Sequence, residues 1–440
     1  MALALASFVL CWVVLLSPVA AATAPSEMPE GVFLGVGSCA GSNCHGATQP
    51  WQGSRVRQDE YLVWQQRDPH AKSYTALFGP RAKRIARNLG LKNAHEAEAC
   101  LGCHTHAPPP AERSSRFQAG DGVGCEACHG PGRAWLGDHV AGVADAAAYH
   151  ALVDKGMLAI DDPARRAELC LGCHLGTERR QVTHRMMGAG HPRLRFELDT
   201  FTETEPAHFV VDDDYRKRKQ AATHTRTWAV GQAVASREFL LGFADGRWRS
   251  EGAFPELTFY DCQGCHHPTS NLRWQPREGT DLGPGVPRIN DSSLVMLEIV
   301  TRRVDPGLAG QLLEQRRALH AASLLGVEKT AAAAATLLSS VMRAMPAIQS
   351  HAWDAGDAST LLAALANAAR LGLADYQTAE QETMAAAALV ADLDPSRARK
   401  GLEACYAAVE SDAAYDPSRF VEALSALAEA ERIAADRPRR

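Results

Sequence analysis

The chain carries little that would draw it to a nucleic acid. Its 46 lysines and arginines are outweighed by 51 aspartates and glutamates, a formal net charge of −5 over 440 residues. That leaves no basic footprint for a polyanion. It is not a disordered chain either, since 46% is hydrophobic and 22% charged, enough apolar material for two domains with cores. Charge is missing altogether from residues 1–24, where Leu3 to Leu16 form an apolar run followed by Ser17, Pro18 and small residues. Ala20-Ala21-Ala22 and Ala22-Thr23-Ala24 both fit a small-x-small cleavage site, so 1–24 reads as a secretory signal peptide. The run is short for a bilayer span of about 20 residues, and an uncleaved anchor is the alternative. Cys11 has no leucine three residues before it, which argues against lipidation. No later segment reads as a membrane span.

Twelve cysteines in an exported chain would ordinarily form a disulfide framework. Their spacing points elsewhere. Ten fall into five pairs, each followed at once by histidine. Four are C-x-x-C-H: Cys100/Cys103/His104, Cys125/Cys128/His129, Cys170/Cys173/His174 and Cys262/Cys265/His266. The first is longer, running from Cys39 to Cys44 and His45. C-x-x-C-H is the attachment signature of haem c. Two thiols reach two vinyl groups on one porphyrin edge, and the next imidazole meets iron from the proximal face. In the longer motif Gly41, Ser42 and Asn43 suit a bulging turn. Zinc ribbons and thiol oxidoreductases also use C-x-x-C, but neither explains a histidine after every second cysteine. A short-loop disulfide is the alternative for Cys39 and Cys44. The expectation is five covalently attached haems with His45, His104, His129, His174 and His266 as proximal ligands. Cys405 reads as a small core residue.

The expected fold is mainly α with extensive loops. Residues 25–290 hold all five motifs, with short helical stretches such as Asp59–Gln66 and Ala82–Leu89 and poor apolar periodicity, so the haems themselves are expected to form most of the core. Gly279–Pro287 reads as a linker. From about Asp291, alanine and leucine dominate. Asp305-Pro306, Asp394-Pro395 and Asp416-Pro417 each place Asp at N-cap and Pro at N1, and Phe420, Leu424, Leu427 and Ala428 share one helical face. Residues 291–440 are expected to form a helical bundle or short helical repeat, either covering the haem domain or docking a partner.

Seventeen histidines leave many candidates for the distal face of each iron. His70 follows Asp68-Pro69, and His139 follows Gly137-Asp138. His184 and His191 flank Met186 and Met187, one of which is an alternative sulfur ligand or a core filler. His267 follows His266 directly and would serve a different haem, because adjacent side chains in extended backbone point opposite ways. His208 and His224 are further candidates. His95, His106 and His150 read as bland, His106 as solvent-facing, and His320 and His351 as structural. Arg133, Arg193 and Arg195 are candidates to pair with haem propionates, or ordinary surface charges.

The stretch Gly122-Val123-Gly124-Cys125-Glu126-Ala127-Cys128-His129-Gly130-Pro131-Gly132-Arg133, with Gly137-Asp138-His139, resembles the cytochrome c-554 family. Cys100-Leu101-Gly102-Cys103-His104, Cys170-Leu171-Gly172-Cys173-His174-Leu175 and Asp68-Pro69-His70-Ala71-Lys72 follow in matching order, and the resemblance spans roughly residues 35–180. It implies a periplasmic electron carrier between hydroxylamine-oxidising enzymes and membrane-bound quinone or cytochrome partners, with haems in stacked and perpendicular pairs. It also implies His70 and His139 as distal ligands, His139 for the haem at Cys170/Cys173, and an open iron at Cys100/Cys103. The longer first motif, the fifth motif and the helical C-terminal region depart from the family. Electron transfer between redox proteins, without catalysis, is the expected function. The alternative is a redox enzyme acting on hydroxylamine, nitric oxide or nitrite at an open haem, although no C-x-x-C-K motif is present and no catalytic signature surrounds Tyr61, Tyr74 or Tyr260. Residues 291–440 would also suit a subunit of a larger complex.

Overall fold

Each Asp-Pro pair begins a helix as its chemistry requires. Asp305 accepts the backbone N–H of Leu308 at 2.9 Å and starts the helix Pro306–Ser323, and Asp394 accepts from Arg397 at 3.2 Å ahead of Pro395–Ala408. Pro417–Ala435 follows Asp416. The computed structural model describes residues 31–54, 56–248, 255–266, 277, 280, 282–283 and 285–435. The leader expected at 1–24, His267 and part of the expected linker lie outside them. Among the described residues the protein has nineteen α-helices and no β-strand, only isolated bridges such as Phe33 to Arg113. The expected short helices are present as Glu60–Arg67 and Pro80–Leu89.

One helix was not foreseen. His224–Ala244 runs 21 residues and buries most of its surface, with Trp228, Ala233, Val234, Leu240 and Phe243 fully enclosed. A helix covered on nearly all sides has no polar stripe, so its sequence shows no amphipathic period. It packs along Val327–Ser350 and across the back of Pro163–His174, which ends in the fourth haem motif. Gly242 is needed here, because Trp248 fills the space where a side chain would start and donates its indole N–H to Phe239 O at 2.7 Å.

The apolar core running along this helix extends from Ala164 to Ala428 and includes both Ile289 and Leu294 on either side of residue 290. The N-terminal part has only small apolar clusters, such as Leu77, Ala86, Ala94 and Cys100, or Trp135, Tyr149, Leu152 and Met157. Val327–Ser350 is long and apolar enough to cross a membrane by length and composition, with a mean hydropathy of 1.4. This corrects the expectation that no later segment has the length and apolarity of a span, although Glu328, Lys329, Ser339, Ser340 and Arg343 interrupt the run. Here it lies against His224–Ala244 and Pro306–Ser323, with Leu337, Val341, Ala344 and Ile348 buried in the core.

Candidate haem centres

The C-x-x-C-H motifs sit on helical turns. Glu98–His104 and Pro163–His174 end in their motifs, and Cys125–His129 is itself one. On a helix, positions i, i+3 and i+4 share a face, so both thiols and the imidazole reach the same side. The first motif lacks that turn. It closes as a loop, with Cys44 N–H donating to Gly41 O at 2.9 Å and His45 N–H to Cys39 O at 3.1 Å. The fifth uses a short 3-10 turn, Cys262–Gly264. None of the described cysteines forms a disulfide, so the disulfide alternative for Cys39 and Cys44 is not realised.

Each proximal imidazole faces a second one. Ring centres are 5.8 Å apart for His45 and His139, 6.4 Å for His104 and His191, and 6.3 Å for His129 and His208. They are 6.3 Å apart for His174 and His70 and 5.9 Å for His266 and His184. Ring contacts elsewhere run from 4.3 Å, for His95 on Phe78, to 6.4 Å, for Tyr415 and Phe420. A metal held by two imidazole nitrogens at about 2.0–2.1 Å, with each ring centre roughly 1.1 Å further out, separates the centres by about 6.2 Å. The five gaps therefore fit iron between two histidines.

Hydrogen bonds to the other ring nitrogen orient several of these imidazoles, as metal-ligating histidines require. His45 Nδ1 lies 2.9 Å from Glu60 Oε2 and His70 Nδ1 lies 3.0 Å from Asp68 Oδ1. His104 Nδ1 donates to Ser73 O at 2.9 Å and His191 Nδ1 to Pro192 O at 2.8 Å. The carboxylates raise the affinity of His45 and His70 for protons, each chiefly through that hydrogen bond. Burial pushes His129 down to about 3 and His174 to about 4, which keeps both neutral and able to bind metal.

The first four motifs interlock. The Cys39 side chain lies close to that of Cys125, and the Cys103 side chain close to that of Cys173. Glu126, between the cysteines of the third motif, is 4% exposed. Its carboxylate accepts the backbone N–H groups of Leu34 at 2.8 Å, Gly35 at 2.7 Å and Gly132 at 2.7 Å. It thus ties the stretch of chain leading into the first motif to the third. The Ser73 hydroxyl lies 2.7 Å from His70 O and 2.9 Å from His104 O. Gly122, with φ of 75°, passes so close that a Cβ would stand 2.7 Å from His70 O. Sequence reasoning had no signal for Ser73 and treated Glu126 only as part of a motif.

The fifth motif rests on the C-terminal helices. Asp261 accepts from Gln263 N–H at 3.1 Å and from Arg288 at 2.6 Å. Cys262 N–H donates to Gln377 Oε1 at 3.3 Å, and Gln263 Nε2 to Asp412 Oδ1 at 2.7 Å. His184 N–H is held by Glu256 at 2.8 Å.

Several expectations are revised by this geometry. Cys265 differs in setting from the other motif cysteines. It is exposed, as is His266 beside it, whereas the other nine motif cysteines are buried or half-buried. The reason is local. The 3-10 turn ends at Gly264, and Cys265 leaves it at φ −121° and ψ −39°, outside helical geometry. The contacts from Gln377 and Asp412 hold only Cys262 and Gln263. The fifth motif is therefore anchored on one side and lies at the surface of the polypeptide on the other, so Cys265 is placed for haem attachment by its spacing from Cys262 and not by burial.

The distal assignments change as well. His139 stands opposite His45, and His70 takes the place opposite His174 that the family resemblance had given to His139. The site expected to be open has His191 facing His104. His208, only a further candidate by sequence, faces His129. His224 instead pairs with Asp199 at 3.1 Å. His106 is not solvent-facing, since its ring packs 4.7 Å from Phe33 and 5.9 Å from Phe117 and burial lowers it to about 4. Arg193 and Arg195 both pair with Glu380, and Arg133 is exposed. His320 and His351 bond Asp291 and Asp357, each at 2.9 Å.

Cysteine pairs on turns, each with two opposed imidazoles, define a c-type haem protein. Residues 39–130 match the family of cytochrome c554 and c-prime, and this segment with its three motifs is that of a multihaem c-type cytochrome, an electron-transfer protein. The motifs at Cys170 and Cys262 and the C-terminal helices lie beyond the matched residues. The chain matches no curated protein and no solved structure.

Proposed function

We propose that this protein is a periplasmic electron carrier with five covalently attached haems, each held between two histidines. The supporting observation is the set of five imidazole pairs 5.8–6.4 Å apart, one for every motif. Haem supplies a one-electron iron couple when bound. The chain supplies everything else. Cys39/Cys44, Cys100/Cys103, Cys125/Cys128, Cys170/Cys173 and Cys262/Cys265 anchor the porphyrins. His139, His191, His208, His70 and His184 complete the ligation of His45, His104, His129, His174 and His266 respectively. Glu60 and Asp68 fix ring orientation and set charge near two irons.

The closeness of Cys39 to Cys125, of Cys128 to Cys170 and Cys173, and of Cys103 to Cys173 places the first four motifs side by side. That proximity supports electron passage among the first four haems. A histidine opposite every proximal histidine supports carriage over catalysis. Thiol attachment of haem outside the cytoplasm fits the leader read at residues 1–24. The test is a haem count per chain by pyridine haemochrome, with low-temperature EPR of the oxidised protein. Five haems, essentially all low-spin, are expected. Fewer than five, or a stoichiometric high-spin ferric signal, would refute the assignment.

A further inference from the structure

One histidine that pairs with no motif stands among carboxylates. His224 opens the helix His224–Ala244, and Asp199 and Glu203 lie four residues apart on the helix Leu198–Thr204, so they share a face. His224 Nδ1 is 3.2 Å from Asp199 Oδ1 and 3.1 Å from Asp199 Oδ2. One ligand atom from each of the three side chains lies within 4.8 Å of the others. Asp392, just past the helix Tyr376–Ala391, accepts the N–H groups of His224 at 3.3 Å and Thr225 at 2.7 Å and so fixes the backbone that carries the imidazole. Asp199 is 5% exposed. Burial lifts its carboxyl, and Glu203 and Asp392 add negative charge beside it. Glu203 is exposed, and among the described residues its carboxylate makes no hydrogen bond or ion pair. Three carboxylates thus act on a single imidazole, and one of them has no partner.

An ion held by two ligands at about 2.0–2.2 Å keeps them about 3.0–3.4 Å apart at angles between about 90° and 109°. The separation of His224 from Asp199 falls in that window, and Glu203 is near enough to supply a third donor. An imidazole with two carboxylates suits zinc and similar divalent ions, whereas calcium takes oxygen ligands. We propose that Asp199, Glu203 and His224 form a binding site for a divalent transition-metal ion of the zinc class. The site uses none of the haem ligands and does not depend on the haem assignment. The ion takes the place of the proton that His224 shares with Asp199, and that proton is released. Bound there, it ties together the two ends of the segment 205–223. That segment carries His208, and its residues 206–211 make no backbone hydrogen bond among the described residues. A cross-link at its base suppresses local opening.

The experiment uses the full holoprotein, treated with EDTA, exchanged into chelator-free buffer and dialysed against zinc chloride. Elemental analysis reads zinc per chain, and the iron read alongside it tests the haem assignment separately. E203Q alters an exposed side chain and leaves the fold intact, and H224Q removes the imidazole. The wild type should bind one more zinc ion per chain than either variant, with an affinity at least about 10-fold higher at that site. Zinc bound elsewhere remains in the variants. Zinc should also raise the melting temperature of the wild type and leave that of E203Q nearly unchanged. Equal zinc binding by the wild type and E203Q overturns the inference even when five irons are counted, and so does displacement of the extra zinc by an equal concentration of calcium.

Discussion

Replacing Asp68 with Asn isolates the electrostatic control of a single haem. Asp68 is 4% exposed and sits 3.0 Å from His70 Nδ1. D68N keeps the shape and an acceptor oxygen but removes one negative charge. The imidazole and its metal bond add roughly 4 Å to the contact, so the charge lies about 7 Å from the iron. At an effective dielectric of about 20, a unit charge at that distance is worth about 2.4 kcal/mol, or roughly 100 mV for a one-electron couple. The sign follows from charge. The carboxylate stabilises the ferric form, which carries one more positive charge, so its loss raises the midpoint potential. Glu60 stands 2.9 Å from His45, but its side chain is 15% exposed against 6% for Asp68. Solvent screens it more, and E60Q should raise a different haem by less. Spectroelectrochemical titration reads both shifts, and the double variant should show them independently because they act on separate irons. An unchanged set of potentials in D68N, or the same component moving in both variants, would refute the pairing of His70 with His174 and of His139 with His45.

The imidazole planes make a second prediction. Three pairs cross at 83–87° and two lie at 21° and 34°, so EPR should resolve three highly anisotropic low-spin signals and two rhombic ones; five of one kind contradicts the geometry. E126A leaves two buried N–H groups and one half-buried one without their acceptor, each buried one worth about 1–3 kcal/mol, and should lower the melting temperature of the holoprotein sharply while E126Q lowers it less; equal melting temperatures argue against the role. Q377A should reduce haem occupancy or shift the potential at Cys262/Cys265 alone, read by mass spectrometry of haem peptides, and a loss spread over all five motifs would count against it. His224 is raised to about 9, first by its hydrogen bond to Asp199. A raised histidine stabilises the fold fully below its unfolded value of about 6.5 and loses that contribution as pH climbs through about 9. Thermal stability should therefore decline from pH 6.5 to 9 in the wild type and less in H224Q, and parallel curves would exclude the pair as the cause.

The attachment chemistry was legible because covalent haem binding imposes a fixed spacing that no fold can disguise. Proximal histidines come with it. The setting of each motif does not, since the same C-x-x-C-H spacing encloses Cys170 and Cys173 at the end of a helix and leaves Cys265 exposed past a short turn. Distal ligands are hidden too, because they arrive from anywhere in the chain. His70 and His139 stood out only through their neighbours, and His139 faces His45 and not the expected His174 because sequence order does not encode which loop crosses which porphyrin. His208 had no local mark at all, lying in an unstructured stretch without a turn or cap. Three of the C-terminal helices announced their starts through Asp-Pro caps. The long helix His224–Ala244 did not, since complete burial erases the polar stripe that reveals a helix.

The same contrast separates the fifth haem motif from the other four. Motifs one to four support one another through adjacent cysteines, Glu126 and Ser73, with little apolar core of their own. The fifth has no such neighbours among those contacts. Its turn is satisfied by Gln377 and Asp412, and Asp261 beside it is tied through Arg288. Behind Arg288 lies a buried charge cluster. Arg277 bonds Asp291 at 2.7 Å and Asp375 at 3.2 Å, and Arg316 and His320 meet Asp291 at 2.7 and 2.9 Å. Burial works to raise the Asp291 carboxyl, yet Arg277, Arg316 and His320 hold it well below its ordinary value. Buried pairs of this kind add little net stability, but breaking one strands a charge at a cost of about 3–5 kcal/mol. They therefore fix register more than they hold the fold together. In this protein they fix Arg277, Arg288 and Asp291 against the helices beyond, and through Arg288 they hold Asp261, the residue just before the fifth pair of thiols.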